Sequence, residues 1–457
     1  MTAFYGLSNS PKKSLTIYQD EKLRQDLPKL TEASVSSVIE VDITSREFSE
    51  YGVDLAPVDK GRQAWTFVFS ACIFDSFIWG WNNTYGIFQD YYSTHPPFDI
   101  ASSGEISIIG TASVGIQYIE VVLVIALFQR YPELPKPAMW ASLGIVFGIG
   151  AGVFYAPILM WLSDWFVMRR GLAGGIIFGG SGIGGFVLPI IMGYLLDVVG
   201  FGWTIRIFGL VLGVCGGIAL LGVNPRFPVR KPTDERPRRQ WFPRNLSPYK
   251  NPVFLSMFAL EMGVNSVQAL GFYPVSIFLP TYTSYLSVRT FPSTMILALF
   301  NAASVVCYIL FGRICDSYPY PYIILMSGVG SALAAFLLWG YASTLGWMFA
   351  FSIVFGGFNG GFPGAWPAAA SEIGGSRNDI TSLMMGTFAI VKGVGAIVGP
   401  IIAASLRDIN NDSGSRYGGF GFLKVEIFVG SMAVATSVGA LILSFISESK
   451  RKSGAHS

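Results

Sequence analysis

Apolar residues along this chain come in runs of about 20 or more, separated by short polar stretches. A helix rises about 1.5 Å per residue, so about 20 apolar residues cross the ~30 Å hydrocarbon core of a bilayer. Backbone groups in lipid must be satisfied internally, so such runs read as a bundle of membrane helices. They predict eleven spans, at about 64–91, 106–128, 138–162, 171–196, 201–223, 253–284, 292–312, 320–341, 345–366, 380–406 and 421–446. Residues 1–63 are polar and mixed in charge, which predicts a disordered cytoplasmic tail. The spans then divide into an N-terminal bundle over 64–224 and a six-helix C-terminal bundle over 252–447, joined by a basic cytoplasmic loop over 225–251. A tail over 448–457 carries Lys450, Arg451 and Lys452.

Eleven spans conflict with the charges. The basic loop and the basic C-tail both belong in the cytoplasm, and six crossings between them agree with that. Five crossings before the loop would put the N-tail outside, with Met168-Arg169-Arg170 on the same wrong side. An internal repeat points to the cause. Gly182-Ile183-Gly184 followed by Pro189-Ile190-Ile191 recurs 211 residues later as Gly393-Val394-Gly395 followed by Pro400-Ile401-Ile402. The same offset pairs Gly175 with Gly386, Gly150 with Gly361, Phe147 with Phe358 and Tyr155 with Trp366. Two parallel halves of one transporter fold would give this pattern. From position 64 to Gly150 is 86 residues, whereas from Val253 to Gly361 is 108, so the first half is 22 residues short. That deficit is about one crossing. It predicts an absent helix near the junction of Trp140 to Gly144. A skipped exon or a gene-model error explains the gap more simply than a designed eleven-helix transporter.

Composition agrees with the membrane reading: 52% of residues are hydrophobic, 13% are charged, and mean hydropathy is +0.51. A soluble domain of this size needs more charge on its surface. A net charge of +3 gives no reason to expect nucleic acid as a partner. Cys72, Cys215, Cys307 and Cys315 have no metal-ligand spacing and no disulfide framework, so no metal and no cofactor is expected. The first 63 residues show no cleavable signal peptide.

Two stretches carry a family resemblance. One runs from Asp59-Lys60-Gly61-Arg62-Gln63-Ala64-Trp65 to Trp79-Gly80-Trp81 and Tyr85-Gly86-Ile87-Phe88. The other is Asp164-Trp165-Phe166-Val167-Met168-Arg169-Arg170-Gly171-Leu172-Ala173-Gly174-Gly175, with Gly179 to Gly185 after it. Together they resemble the first- and fifth-helix signatures of monocarboxylate-transporter-like proteins of the major facilitator superfamily, especially its fungal branch. Gly312-Arg313-Ile314-Cys315-Asp316 resembles that superfamily's motif between helices eight and nine. The resemblance covers roughly residues 57–450. It implies an all-α, two-bundle fold of twelve helices. In it, Pro137 to Trp140 begin helix three and Gly144 to Gly148 belong to helix four, with the rest of helix three missing. Family and repeat thus point to the same junction. The resemblance also implies a monocarboxylate or similar anion as substrate, with protons as coupling partner. Against a simple proton–lactate mechanism, the positions of the animal proteins' first-helix Lys and eighth-helix Asp–Arg pair fall on Asn83, Ser304 and Tyr308.

Polar groups inside a membrane are costly, so each one requires a reason. The candidates for substrate binding or coupling are Lys392, Asp75, Asn82, Asn83, Asn301, Asn359 and the aligned set Glu261, Asn265 and Gln268. Positions i, i+4 and i+7 share one helix face. Lys392, near mid-span, either pairs with an acid in a central cavity or makes a packing salt bridge or a cytoplasmic water contact. Asp75 either faces that cavity or caps a neighbouring helix. Glu261 lies towards the cytoplasmic end, where an interfacial role competes. Gln117 and Glu120 are further polar residues of the second span, and the apolar neighbours of Glu120 give it a lipid-facing look. Arg169, Arg170, Arg313 and Asp316 read as gating or topology residues. Gly148-x-Gly150-x-Gly152 and Gly180-x-Gly182-x-Gly184 have no preceding strand and read as close helix packing, not a dinucleotide loop. Trp65, Tyr91, Trp339 and Trp347 read as interface anchors.

These observations predict a multi-pass transporter, with the plasma membrane as its default location, that moves a small organic solute by alternating access. The rival is a non-transporting, sensor-like or truncated, inactive relative. No hydrolase elbow and no His–Glu metal motif supports an intramembrane enzyme.

Overall fold

The computed structural model describes residues 55–96, 100, 103–142, 147–228, 252–286, 290–374, 378–408 and 417–454. The N-tail before residue 55, most of the basic loop, and residues 143–146 of the suspected junction lie outside the described residues. The helices are α1 (Arg62–Thr94), α2 (Ser103–Arg130), α3 (Pro135–Ser142), α4 (Phe147–Trp165), α5 (Arg170–Gly222) and α6 (Pro252–Leu286). They continue as α7 (Thr290–Cys315), α8 (Tyr320–Leu333), α9 (Leu345–Gly360), α10 (Trp366–Gly374), α11 (Asn378–Leu406) and α12 (Leu423–Gly454). A π-helical turn, Ala334–Trp339, extends α8. A 3-10 turn, Phe362–Ala365, joins α9 to α10, with Pro363 and Pro367 placed where the regular helix breaks.

Nine of the described helical stretches are long and apolar enough to cross a membrane. One of them, α5, has 53 residues and would extend about 80 Å if straight. It turns at Gly200, whose φ of 74° and ψ of 170° a side chain would strain. Its two arms are therefore separate crossings.

The stretch predicted as one crossing at 138–162 is instead divided. Helix α3 is described over the eight residues Pro135–Ser142, and residues 143–146 after it lie outside the described residues. The Lys136 ammonium at its start donates to Leu220 O at 2.7 Å. Trp165 at the end of α4 donates through Nε1 to Asn224 O at 2.8 Å. The start of α3 and the end of α4 thus both lie beside the end of α5, on one side of the membrane. This arrangement removes the charge conflict. Lys60, Arg62, Arg130, Lys136, Arg169, Arg170, Arg226 and Arg313 share that side, and the positive-inside rule assigns it to the cytoplasm.

The sequence assigns residues 55–61 to the tail, but they are packed. Asp59 N donates to Trp165 O at 3.0 Å, and Arg226 Nε donates to Ala56 O at 2.9 Å. A shared core of Phe67, Leu159, Phe166, Met257, Tyr320 and Ala369 joins residues of both halves at their cytoplasmic ends. At the outer ends each half keeps its own core, around Phe88 and Phe208 in one and around Tyr282 and Phe422 in the other. Trp339 is fully buried in the latter, beside Phe351 at 5.1 Å, so it is a core residue and not an interface anchor.

The glycines follow the packing reading. A Cβ on Gly180 or Gly184 would lie within 2.3 Å of a carbonyl oxygen of α1, and one on Gly175 within 2.3 Å of Tyr308 O in α7. Small residues on opposite faces of α5 let it contact α1 and α7 backbone to backbone.

Candidate functional site

Lys392 lies 14 residues from each end of α11 and is 5% exposed. Its Nζ stands 5.3 Å from the ring centre of Phe272 on α6 and 5.3 Å from that of Trp366 on α10. No hydrogen bond or ion pair ties it to a described residue. The expected Lys–Asp or Lys–Glu pair is therefore not formed, and neither is a packing salt bridge. Two ring faces replace them, a contact worth about 2 kcal/mol when desolvated. That is less than the several kcal/mol it costs to bury an ammonium. The residual deficit suits an anion arriving from outside the chain.

Aromatic residues of both halves form a connected cluster that reaches this cation through Trp366. The hydroxyls of Tyr118 on α2 and Tyr273 on α6 share a hydrogen bond of 2.7 Å across the bundle boundary. Trp79 on α1 packs on Tyr118 at 4.4 Å and on Tyr155 of α4 at 5.4 Å. Phe178 on α5 meets Trp366 at 6.1 Å and Tyr308 of α7 at 6.5 Å. The result is a cage of aromatic faces with the Lys392 ammonium against its Trp366.

Asp75 is fully buried on α1, where Oδ2 accepts from Ser181 N at 2.8 Å and Oδ1 has no partner. It holds the middle of α5 and does not cap a helix end. Asn83 Nδ2 donates to Asn301 Oδ1 at 3.4 Å and to Ser181 O at 3.3 Å, so α1, α5 and α7 meet at one polar node. Asn82 turns the other way and donates to Gln117 on α2 at 2.6 Å. Glu261, Asn265 and Gln268 do share a buried face. That face looks into the C-terminal half: Asn265 donates to Phe388 O at 2.7 Å, and Gln268 donates to the Asn359 side chain. Glu120 is not lipid-facing. Its carboxylate accepts from Gly152 N at 2.7 Å near the start of α4. Ser304, one of the positions compared with the animal proteins, is occupied with Phe300 O and Gly356 O at 2.9 and 2.7 Å.

The gating candidates gather at the cytoplasmic end of α5. Arg169, at its N-cap, offers no side-chain cap. Two carboxylates replace it. Asp59 accepts from the N–H groups of Val167, Met168 and Arg169 at 3.1, 3.0 and 2.9 Å. Asp316, from the other half, accepts from Gly171 N at 2.7 Å and Leu172 N at 3.1 Å. Both use the unpaired amides and positive end of the helix dipole. Arg170 donates to Phe166 O at 2.9 Å, to Ser163 O at 3.1 Å and, across the bundle boundary, to the Ser371 hydroxyl of α10. Burial pushes the Asp316 carboxyl up to about 7, against the lowering effect of the two amides and Arg313.

The Major Facilitator Superfamily model matches residues 111–400, more than half of the chain. The chain belongs to that superfamily. Among relatives, it is 29% identical over 421 residues to an aspyridones efflux protein of Emericella nidulans, covering 86% of this chain and 80% of that one. It is 29% identical over 429 residues to a fujikurins efflux protein of Gibberella fujikuroi, covering 85% and 84%. An agnestins efflux protein of Paecilomyces divaricatus is 27% identical over 387 residues, covering 79% and 83%. The human organic anion transporter MFSD10 superposes with a TM-score of 0.60 at 12% identity, covering 84% of this chain and 99% of that one. This last likeness shows the fold alone.

In this superfamily member, sequence reasoning missed the aromatic cage, together with Asp59, Ser371 and the tyrosine pair. One signal for the cage was present. Tyr155 and Trp366, matched by the 211-residue repeat, both line it.

Proposed function

We propose that this chain is a monocarboxylate-transporter-like secondary transporter that exports small anionic organic molecules with flat apolar bodies. The observation that carries the reading is Lys392, an ammonium without an acidic partner held between Phe272 and Trp366 at mid-membrane. An anionic head would neutralise it, and the Trp79, Tyr118, Tyr155 and Phe178 rings would bury the body. The curated relatives named as efflux proteins support the outward direction. Substrate would bind between the halves, which would then rock about it. In the structure the cytoplasmic seam is closed by Asp316 on α5 and by Arg170 on Ser371. Asp75, with one oxygen unpartnered beside Ser181, is the candidate for proton coupling within the site. We place the protein in the plasma membrane, with residues 64–224 and 252–447 as its two bundles.

The experiment is a ligand-induced melting shift on purified protein, followed by flux in proteoliposomes. Salicylate serves as the probe and salicylamide as its uncharged counterpart. The reading expects stabilisation and flux with salicylate only, both lost in Lys392→Ala. No response to a panel of aromatic and aliphatic carboxylates would refute it. One observation favours the non-transporting rival: Lys136 and Trp165, near the two ends of the 136–165 stretch, both bond to the end of α5. Flux in this chain would exclude that rival.

A further inference from the structure

Trp366 opens α10 at the boundary between the halves. Prolines on both sides of it, Pro363 in the 3-10 turn and Pro367 in the helix, disfavour a continuous helix from α9 and fix where the ring emerges. Pro367 packs against Gly174 of α5. The Trp366 ring lies 6.1 Å from Phe178 of α5 and 6.1 Å from Phe388 of α11. The residue is 2% exposed, and its Nε1 has no hydrogen-bond partner.

An indole nitrogen can only donate, and a buried donor without an acceptor is costly. Trp165 meets this demand by donating to Asn224 O at 2.8 Å. The surroundings of Trp366 do not meet it. Phe178, Phe272 and Phe388 present rings, and Asn265 already occupies the Phe388 carbonyl at 2.7 Å. Trp339 is the other buried tryptophan whose Nε1 lacks an acceptor among the described residues. It packs in the outer core with Phe351 at 5.1 Å and Phe422 at 6.2 Å, and among the described residues no cation faces its ring. At Trp366 a cation does: the Lys392 ammonium stands 5.3 Å from the ring centre, and it too has no hydrogen-bond or acidic partner among the described residues.

Two donors without acceptors therefore lie side by side. The indole N–H axis runs in the ring plane, whereas the ammonium stands off the ring face. One oxygen cannot lie on both axes. Two oxygens carried by one atom span the angle between them, and the flexible lysine stem lets the ammonium follow.

We propose that Trp366 is a specificity-determining residue of the anion site. Its Nε1 hydrogen donates to a second oxygen of the head that Lys392 neutralises, so the site favours anions whose charge is shared by two oxygens on one atom, as in a carboxylate. This role rests on the reading that Lys392 binds an anionic substrate.

The test is a binding titration of the full-length protein in lipid nanodiscs with two aromatic anions. Benzoate shares its charge between two oxygens, and pentafluorophenolate carries it on one. Trp366→Phe keeps a ring face and removes the N–H. A closer replacement puts benzothienylalanine at position 366, which keeps the fused ring and exchanges only the N–H for sulfur. It serves if Trp366→Phe misfolds by size-exclusion profile and melting. In either variant the Kd for benzoate is expected to rise about ten- to hundredfold, the loss of a hydrogen bond to a charged group, with that for pentafluorophenolate changing less than about twofold. In the wild type, proton NMR of the indole N–H groups is expected to show one signal, missing from both variants, that moves downfield with benzoate and not with pentafluorophenolate. A purely packing role would weaken both anions alike. That result, or unchanged benzoate binding in a folded variant, would overturn the role of Trp366 and leave the anion reading standing. Binding of neither anion by the wild type would refute the anion reading and this role together.

Discussion

Asp316 gives the cytoplasmic seam a pH dependence whose size follows from its surroundings. In the closed seam its carboxyl lies at about 7, because burial outweighs the Gly171 and Leu172 amides and the nearby Arg313. When the halves part there, the group returns to water and to an ordinary value near ~4. Closing therefore takes up a proton between about pH 4 and pH 7. The sign follows from the raised value: the extra stability of the closed seam is present at low pH and is lost as pH rises through about 7. Between pH 8 and pH 6 the ratio of closed to open should rise about tenfold, or ~1.4 kcal/mol. Spin labels at the exposed residues Lys60 and Tyr318, one on each half, would report it as a change in the short-distance fraction. Asp316→Asn should remove this tenfold step. An undiminished step in that variant, or a closed fraction that grows with rising pH, would refute the reasoning.

Lys392→Ala should raise the KM for an aromatic carboxylate about ten- to hundredfold, the loss of a contact to a charged group worth roughly 1.5–3 kcal/mol; an equal loss for an uncharged analogue would show that only packing was disturbed. Gly171→Ala should open the seam, because its Cβ would stand 2.2 Å from Gly312 O, a backbone atom that cannot rotate away. A cost of about 1–3 kcal/mol would appear as a loss of the short distance between the same labels at fixed pH. Tyr273→Phe removes the 2.7 Å bond to Tyr118 and should lower stability by about 1 kcal/mol, read as a reduced melting temperature; an unchanged melt would remove this bond from the bundle boundary. An insertion of about 20 apolar residues between Ser142 and Phe147, the length of one crossing, should raise the melting temperature by completing the first half.

Much of the architecture was legible because hydrophobic length and loop charge are local properties of the chain. The long apolar runs, the basic ends and the 211-residue repeat each need only a short window or a comparison of two windows. A spacing deficit near Trp140 to Gly144 was also legible, although residues 143–146 lie outside the described residues. Its topological consequence was not legible. Hydropathy treats 138–162 as one crossing, whereas Lys136 on Leu220 and Trp165 on Asn224 bring both ends of that stretch to one side.

The site divides along the same line. Residue type and depth identified Lys392, Asp75 and the Glu261 face, since a polar group inside a span is conspicuous in any sequence. Partners come from distant parts of the chain, and only packing reveals them. Lys392 meets Phe272 and Trp366 instead of an acid, and Asp316 meets an amide pair 144 and 145 residues away. Aromatic residues give little signal in a chain that is 15% aromatic, so Trp79 and Tyr118 looked like any other core residues, and only the repeat singled out Tyr155 and Trp366. The sequence by itself determined that the chain is a two-half membrane bundle with one charge near the middle of the eleventh helix. The tertiary structure decided which charges are paired and which are left open, because pairing depends on helix rotation and on backbone approach at glycines such as Gly171 and Gly175, and neither is encoded within a single span.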